Sequence, residues 1–539
     1  MPRSDGGASN PGSIVYNRGA KPDDANVMAL ALSLPPLDAR PANPPETRPA
    51  RVQPWLEETL KRDPVDAAGV IGDALAATNR VALSESRRLE LAERYYGTAL
   101  TLWPNLERHF ASAQHPLTGD ALAAAKAALI LAAELATAYK HLLAHEAEKR
   151  LLLSGNRLLV ALIHRCLQCT ARILTNSYQS YAPVPSRTWH DAHAIYLFAH
   201  QRNLQMTPIA SDTAEATPER HYVQALLLAL ANPYGFMPGQ LEQVVQYLQD
   251  HAHWAHITNV APVHRLAKAV AIIPVGHDFP PFAANKGGNI DGSKLFLLTF
   301  DLAFQIQEEL RGLDAGGLPP PGVANDQSGR AEYVALLRRL LRQWAIPPAR
   351  QFNRLPSRAR VVMCAGLAGV WQYSRGAHAG VANIPSGLPT MNACQVINHT
   401  PGGYALRQID AIHAPLRIGD LIALRVEGRK ALQVAMVRWF RNTLRGSGLE
   451  FGCELLTDNP QAAAARSEES PSGPLLPAVV LPEEDGGDGS APMVLLPARS
   501  FEIEQAIALQ HGERANTAVL TKLVEQGPGF ELYEYIAVS

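Results

Sequence analysis

The sequence predicts an α+β protein of several domains. An irregular α-helical N-terminal region comes first, then a six-stranded antiparallel β-barrel, then a small extra β segment. Three observations carry that expectation. The chain has 539 residues, more than one hydrophobic core usually serves. Across residues 51–345 apolar residues recur at i, i+3, i+4 and i+7, the period of an amphipathic helix. From residue 346 the text changes to short runs rich in Val, Ile, Leu and aromatics. These runs sit about ten residues apart between turn signals, the pattern of a small barrel.

Composition narrows the function classes. Apolar residues make up 47% and charged residues 18%, which suits a soluble globular protein. The formal net charge is −1, so no global field draws the protein to DNA or to an anionic membrane. An anionic ligand must meet a local basic cluster. Five cysteines without regular spacing indicate a reducing compartment and no disulfide framework. The first residues, MPRSDGGASNPGSIVYNRGAKPDD, hold no apolar h-region. ALAAAKAALILAAELATAYKHLL is strongly apolar but carries lysines at helical period. It reads as a buried helix and not as a membrane insertion. The expected location is the cytoplasm.

The elements follow in order. Residues 1–50 hold nine prolines among Gly, Asn and Asp. Such a segment buries too little to offset its ordering entropy, and disorder is expected. Residues 51–345 form the helical scaffold, beginning at PWLEETLKR and continuing through long segments such as SESRRLELAERYYGTALTLWPNL. No period near 34 residues repeats cleanly, so a regular solenoid is not expected. KAVAIIPVG and KLFLLTFDL interrupt the helices as short strands or core segments. IPPAR ends the last helix, because consecutive prolines cannot continue it. A domain boundary is placed there. RVVMCAGL, ACQVINHT, GGYALRQ, LIALRV, LQVAMVRWF and EFGCELL are the six barrel strands of 346–460. Residues 461–492 hold six acidic residues against one Arg, with many Pro, Gly and Ser, and read as a flexible acidic linker. Residues 493–539 offer four more strands, which either extend the barrel or form a second small β unit.

One pair of motifs carries chemistry. RQFNR spans Arg350 to Arg354, and NHTPGG begins at Asn398, 44 residues beyond Arg354. A guanidinium can fork onto a phosphate or stack on a purine, and two of them on a pre-barrel segment can do both. A strand-to-strand loop with Asn, a hydroxyl and glycines offers acceptors, donors and close backbone approach. Each motif alone also fits a solvated charge and an ordinary turn. Together, RxxxR before a barrel and [D/N]xSxxG at a turn resemble the PilZ domain family, which binds the bacterial second messenger cyclic di-GMP. RIGDLIALRV, VAMVRWFR and LEFGCELL look like that barrel's strand order. The resemblance implies that Arg350 and Arg354 hold phosphates and stack on guanine, that Asn398 and Thr400 hydrogen-bond the ligand, and that Gly403 permits the turn. Thr400 stands where the family has Ser, which keeps the hydroxyl and adds a methyl. The excess separation between the motifs is assigned to the Gly/Pro/Ser-rich QYSRGAHAGVANIPSGLPTMN. Arg354 to Arg358 is also RxxxR. Arg350 and Arg354 are preferred because Arg358 and Arg360 lead into a strand.

A helical region before a PilZ module is similar in layout to FimW-type cyclic di-GMP receptors linked to type IV pili. That resemblance implies a signalling role in surface attachment and a protein partner in the pilus machinery at the cell pole. Other motifs read as structural. Cys166 and Cys169 form a lone CxxC inside a helical pattern, without the second pair a zinc site needs. His190 and His193, and the HAHWAH segment, lack acid-base companions. KGGNIDG, from Lys286 to Gly292, lacks the spacing of a phosphate loop. With no recognisable catalytic motif, the expectation is a receptor and not an enzyme, with no metal and no cofactor beyond its ligand. A constitutive adaptor with a ligand-free barrel is the alternative.

Overall fold

The computed structural model describes residues 30–538 except 114, 150–155, 210–215, 263–267, 287–291, 347–352, 376–388, 411–415, 443–447, 483–490 and 512–513. The helical region contains α1 (Pro49–Thr59), α2 (Pro64–Asn79), α3 (Glu85–Phe110), α4 (Gly119–Glu148), α5 (Arg157–Gln179), α6 (Thr188–Gln201), α7 (Pro218–Leu230) and α8 (Gln240–His251). Local sequence sets several starts. Asp63 accepts from the backbone N–H groups of Val65 and Asp66, with Pro64 at the first helical position of α2. Thr217 and Pro218 open α7 in the same way. The two most apolar helices, α4 and α5, are long enough to cross a bilayer. Here they pack in the middle of the core, with Leu131, Leu135, Tyr139, Ile163 and Leu174 fully buried.

An antiparallel four-stranded sheet follows, with β1 (His256–Thr258), β2 (Val270–Ile273), β3 (Phe282–Ala283) and β4 (Leu295–Leu298) in the order β1-β4-β2-β3. β2 and β4 are the apolar segments expected there. Helices α9 (Phe300–Asp314) and α10 (Gln327–Trp344) complete the region.

The first barrel uses β5 (Leu355–Pro356), β6 (Arg360–Ala365), helix α11 (Leu367–Arg375), β7 (Asn392–Thr400), β8 (Gly403–Gln408), β9 (Leu421–Val426), β10 (Gln433–Asn442) and β11 (Leu449–Thr457). Six of these strands close as β6-β9-β10-β11-β8-β7, and β7 returns to β6. The short β5 adds to the far end of β7. All six expected strands are present. Helix α11 is new. Its last four residues are the start of the segment assigned to an insertion, and Trp371, just before that segment, is fully buried between the two barrels. The Trp371 indole N–H donates to the Ala463 carbonyl at 2.6 Å.

Residues 461–492 depart most from the sequence reading. Gln461–Ser467 (β12) and Leu476–Leu481 (β13) are strands, not linker. With β14 (Met493–Pro497), β15 (Ala506–His511), β16 (Arg514–Gly527) and β17 (Phe530–Val538) they close a second antiparallel barrel, ordered β12-β13-β14-β17-β16-β15. Of the acidic residues that suggested a linker, Glu468 and Glu469 are exposed just after β12, and the others fall in 483–490, outside the described residues. Ahead of them QAAAARS looks featureless because its alanines are buried in two cores. Ala462 faces the inter-barrel cluster, while Ala463 and Ala465 face the interior of the second barrel.

The N-terminal expectation is corrected in part. Residues 1–29 lie outside the described residues. From Leu30 the chain docks on the helices, with Leu30 and Leu32 packed against the core. The Ser33 backbone and hydroxyl donate to Asp191 Oδ1 at 3.1 and 3.0 Å. Lys140 donates to the Ser33 carbonyl and to Asp191 Oδ2, both at 2.9 Å. The leucines and this buried ion pair order a segment that proline content alone marks as loose.

The helical region and the first barrel share a buried joint. Tyr181, just after α5, has a left-handed φ of 51° and places its ring in the barrel core, 5.7 Å from Phe440. Its backbone carbonyl accepts from the Asn442 N–H at 2.7 Å. The Asn442 amide donates to His115 Nδ1 at 2.7 Å and to the Ser180 carbonyl at 3.0 Å.

Two outcomes follow from this packing. Trp371→Ala is expected to cost about 3–5 kcal/mol, the range for emptying a large aromatic site. Denaturant melts should show the loss, and a change under 1 kcal/mol would sink the wedge role. Burial lowers the His115 pKa from 6.5 to about 4, so the folded protein keeps it neutral while the unfolded chain protonates it. Its stabilisation is complete above pH 6.5 and is lost as pH falls towards 4, by about 3 kcal/mol. His115→Gln should therefore melt with a flatter acid dependence than wild type. The other buried histidines cancel in that comparison, and equal slopes would contradict the assignment.

Candidate functional site

The first barrel sorts its residues by strand alternation. Cys394, Val396, Tyr404, Leu406, Phe451 and Cys453 point into its core. β7 and β8 pair with a one-residue bulge between Val396 and Asn398. Beyond the bulge the pairs are Asn398 with Ala405, His399 with Tyr404, and Thr400 with Gly403. Tyr404 is a core residue, so Asn398 and Thr400 occupy the outer face together. Both are half-buried. His399 turns to the Tyr404 side, with ring centroids 6.3 Å apart.

The arginine segment reaches the same place. β5 pairs Leu355 with His399 and Pro356 with Asn398. One step further along this register sets Arg354 opposite Thr400, on the Asn398 face. Arg354 is exposed and has no carboxylate partner among the described residues. The 44 residues between the motifs are thus closed by one strand pairing. Arg350 lies outside the described residues. Arg358 lies further back along the barrel, where its carbonyl accepts from the Gln395 amide at 3.3 Å.

Gly403 has a different duty from the one expected. The turn itself is Pro401 and Gly402, and the Gly402 carbonyl accepts from the Leu455 N–H at 2.9 Å. Gly403 has φ 154°, and a Cβ there would stand 2.1 Å from the Cys453 carbonyl oxygen. It is glycine because β11 runs against it.

Charges around the hairpin are mostly paired. Glu454 lies opposite Gly403 and bonds Arg438 Nε at 2.6 Å. A second nitrogen of Arg438 holds Glu525 of the second barrel at 2.9 Å. Arg407 holds Glu450 at 2.7 Å. Arg407 on β8 and Arg438 on β10 are committed to carboxylates, while Arg354 is exposed without one among the described residues. Nothing in the sequence reveals the Arg438–Glu525 link, since its partners are 87 residues apart and no local pattern joins them.

The other sequence candidates are structural. Cys166 and Cys169 are buried free thiols, and burial pushes Cys169 up to about 12. His193 is buried, with Nδ1 on the Tyr222 hydroxyl at 2.5 Å and Nε2 on the Phe279 carbonyl at 2.9 Å. His190 instead contacts Asp191 at 3.2 Å. Among the described residues no three His, Cys, Asp or Glu converge as metal ligands. Most of the loop from Lys286 to Gly292 lies outside the described residues.

Gly403→Ala should open the β8–β11 contact. A lowered melting temperature and a weakened hairpin are expected, with about 1–3 kcal/mol lost for overpacking. An unchanged melt would show that the strand can shift at no cost.

Comparison with known proteins agrees with this architecture. The profile described as "Cyclic-di-GMP receptor FimW, N-terminal domain" matches residues 50–262. The middle PilZ domain of the same receptor matches 385–462, and its C-terminal β-barrel domain matches 462–538. The second and third matches meet where the first barrel gives way to β12. Arg354 lies ahead of the PilZ match. The cyclic-di-GMP receptor FimW of Pseudomonas aeruginosa is 22% identical, over 91% of this chain and 90% of its own. No solved structure matches. With all three domains present in order, the chain belongs to the FimW-type family of PilZ-domain cyclic-di-GMP receptors.

Proposed function

We propose that this protein binds cyclic di-GMP on the outer face of its first barrel and passes the signal to a protein partner through its helical region. The observation that carries the reading is the β5–β7 pairing, which brings Arg354 to Asn398 and Thr400. Arg354 and Arg350 supply guanidinium groups for phosphate and guanine. Asn398 and Thr400 supply the hydrogen bonds, and the carboxylates nearby are already neutralised by Arg407 and Arg438. The ligand is held, not transformed.

The relay has a physical route. Arg350 lies between α10 and β5, so a ligand that gathers the arginines pulls on the connection to the helices. It shifts their arrangement only by its differential affinity for the two states. The pilus machinery at the cell pole is the partner that the family resemblance implies, in the cytoplasm.

Calorimetric titration of the full chain with cyclic di-GMP tests the reading. A dissociation constant in the micromolar range or tighter is expected, about −8 kcal/mol. Arg350→Ala/Arg354→Ala should weaken it more than tenfold. No heat from wild type would favour a constitutive adaptor. Full binding by the double variant would move the site, with Arg358 the next candidate.

A further inference from the structure

The helical region carries a groove between α1 and α3. Its volume is about 520 Å³, inside the range of about 300–1,000 Å³ that ligand clefts occupy. Gln53, Glu57 and Leu60 form the α1 wall, at spacings of four and three residues. Glu90, Arg94, Gly97 and Thr101 form the α3 wall at similar spacings. Each set therefore shares one helix face. Val52 and Leu56 anchor α1 in the core, which holds the two walls at a fixed separation.

Gly97 sits in the interior of a 26-residue helix, where glycine is among the poorest choices. A Cβ there would have nothing within 4 Å, so no neighbour in the fold requires glycine. Its missing side chain leaves space in the groove. Leu100, one turn further along α3, is 51% exposed and adds apolar surface on that side. The charges in the groove do not balance. Arg94 donates to Glu90 at 2.7 Å and to Gln53 of α1 at 3.1 Å. Glu93, also in the lining, accepts from Arg165 at 3.1 Å and from the Tyr139 hydroxyl at 2.8 Å. Glu57 accepts from the Gln53 amide at 2.8 Å and enters no ion pair among the described residues. Three carboxylates thus meet two guanidinium groups, and the unmatched one is Glu57.

We infer that this groove docks a cationic helix of a protein partner, with one arginine or lysine laying its stem over Gly97 and Leu60 and its charged head on Glu57. Such a side chain is apolar along its stem and charged at its tip, which matches a glycine floor beside leucines and one unmatched carboxylate. A partner helix lies close against α3 only where no side chain intervenes, and Gly97 provides that clearance. An anionic partner would meet Glu57, Glu90 and Glu93. A purely apolar one would cover Glu57 without a counter-charge. The inference rests on the proposed relay through the helical region and names the surface that relay uses. The groove is already formed without ligand, so docking and nucleotide binding are separable.

The test measures binding of a short amidated helical peptide of Leu, Ala and Arg to the full chain, by fluorescence anisotropy. The same peptide with Glu in place of Arg is the control. The cationic peptide should bind in the micromolar range and weaken as salt rises, and the Glu peptide should not bind. Gly97→Leu should fill the groove and weaken binding at least about tenfold, while its melting temperature rises because leucine is the better helix former. Glu57→Lys should weaken binding to a similar degree. Both variants should bind cyclic di-GMP as wild type does. No binding of the cationic peptide, equal binding of the Glu peptide, or wild-type affinity in Gly97→Leu would overturn the inference and leave the nucleotide reading standing. Peptide binding without heat from cyclic di-GMP would keep the docking groove and remove the receptor reading.

Discussion

Strands β9 and β10 have almost no solvent face where they pair, and the architecture follows from that constraint. Ile422, Leu424, Ala435 and Val437 fill the first barrel. Their neighbours Leu421, Ala423, Val434 and Met436 fill the cluster against the second barrel. A strand buried on both faces must be apolar at every position, not at alternate ones. LIAL and VAMV are continuous runs for this reason. Neither barrel can be removed without exposing half of these side chains. At about 25 cal/mol per Å² of apolar area, the inter-barrel contact is a structural bond and not a tether. Helix α11 fills the remaining gap, and Trp371 ties it to β12 by one buried hydrogen bond.

The sequence was legible where one local rule acted alone. The strands of the first barrel alternate or run apolar between Gly- and Pro-marked turns, and all six lie where their text places them. The helical region reads correctly because α3 and α5 carry clear apolar faces. It fails where two environments overlap. The alanines of β12 serve two cores and show neither strand propensity nor alternation. Helix α11 is nine residues long and buries Leu367, Val370 and Trp371 across an inter-barrel surface, so its periodicity is too short to stand out. The docked segment from Leu30 depends on Lys140 and Asp191, more than a hundred residues away. Composition has no access to such partners.

The candidate site shows the same division. Asn398, Thr400 and Gly403 are visible as a motif because a turn concentrates them in six residues. Arg354 comes near that end of β7 only through two strand pairs, Leu355 with His399 and Pro356 with Asn398. Gly403 illustrates how a residue read as a turn residue can be held to glycine by a contact outside the turn. Turn chemistry explains Pro401 and Gly402, while the constraint on Gly403 comes from the Cys453 carbonyl on a strand fifty residues later. That contact is invisible without the barrel's closure.

The paired carboxylates explain how a nearly neutral chain can offer a place to an anion. Every outer-face arginine near the hairpin could attract phosphate, yet Arg407 and Arg438 are satisfied by Glu450, Glu454 and Glu525. Partly exposed pairs of this kind contribute little to stability. Their larger effect is to withdraw these two guanidinium groups from other anions, while Arg354 stays exposed without a carboxylate partner among the described residues. Arg438 is at once a neighbour of the hairpin through Glu454, a link to the second barrel through Glu525, and a backbone contact of the helical region at Gly235. Three domains therefore meet at one residue of β10, the two barrels through its guanidinium and the helical region through its backbone carbonyl. A change in the position of Glu454 cannot occur without moving that guanidinium or breaking a pair. Geometry thus links the region around the hairpin directly to the second barrel, and the same residue's backbone lies against the helical region.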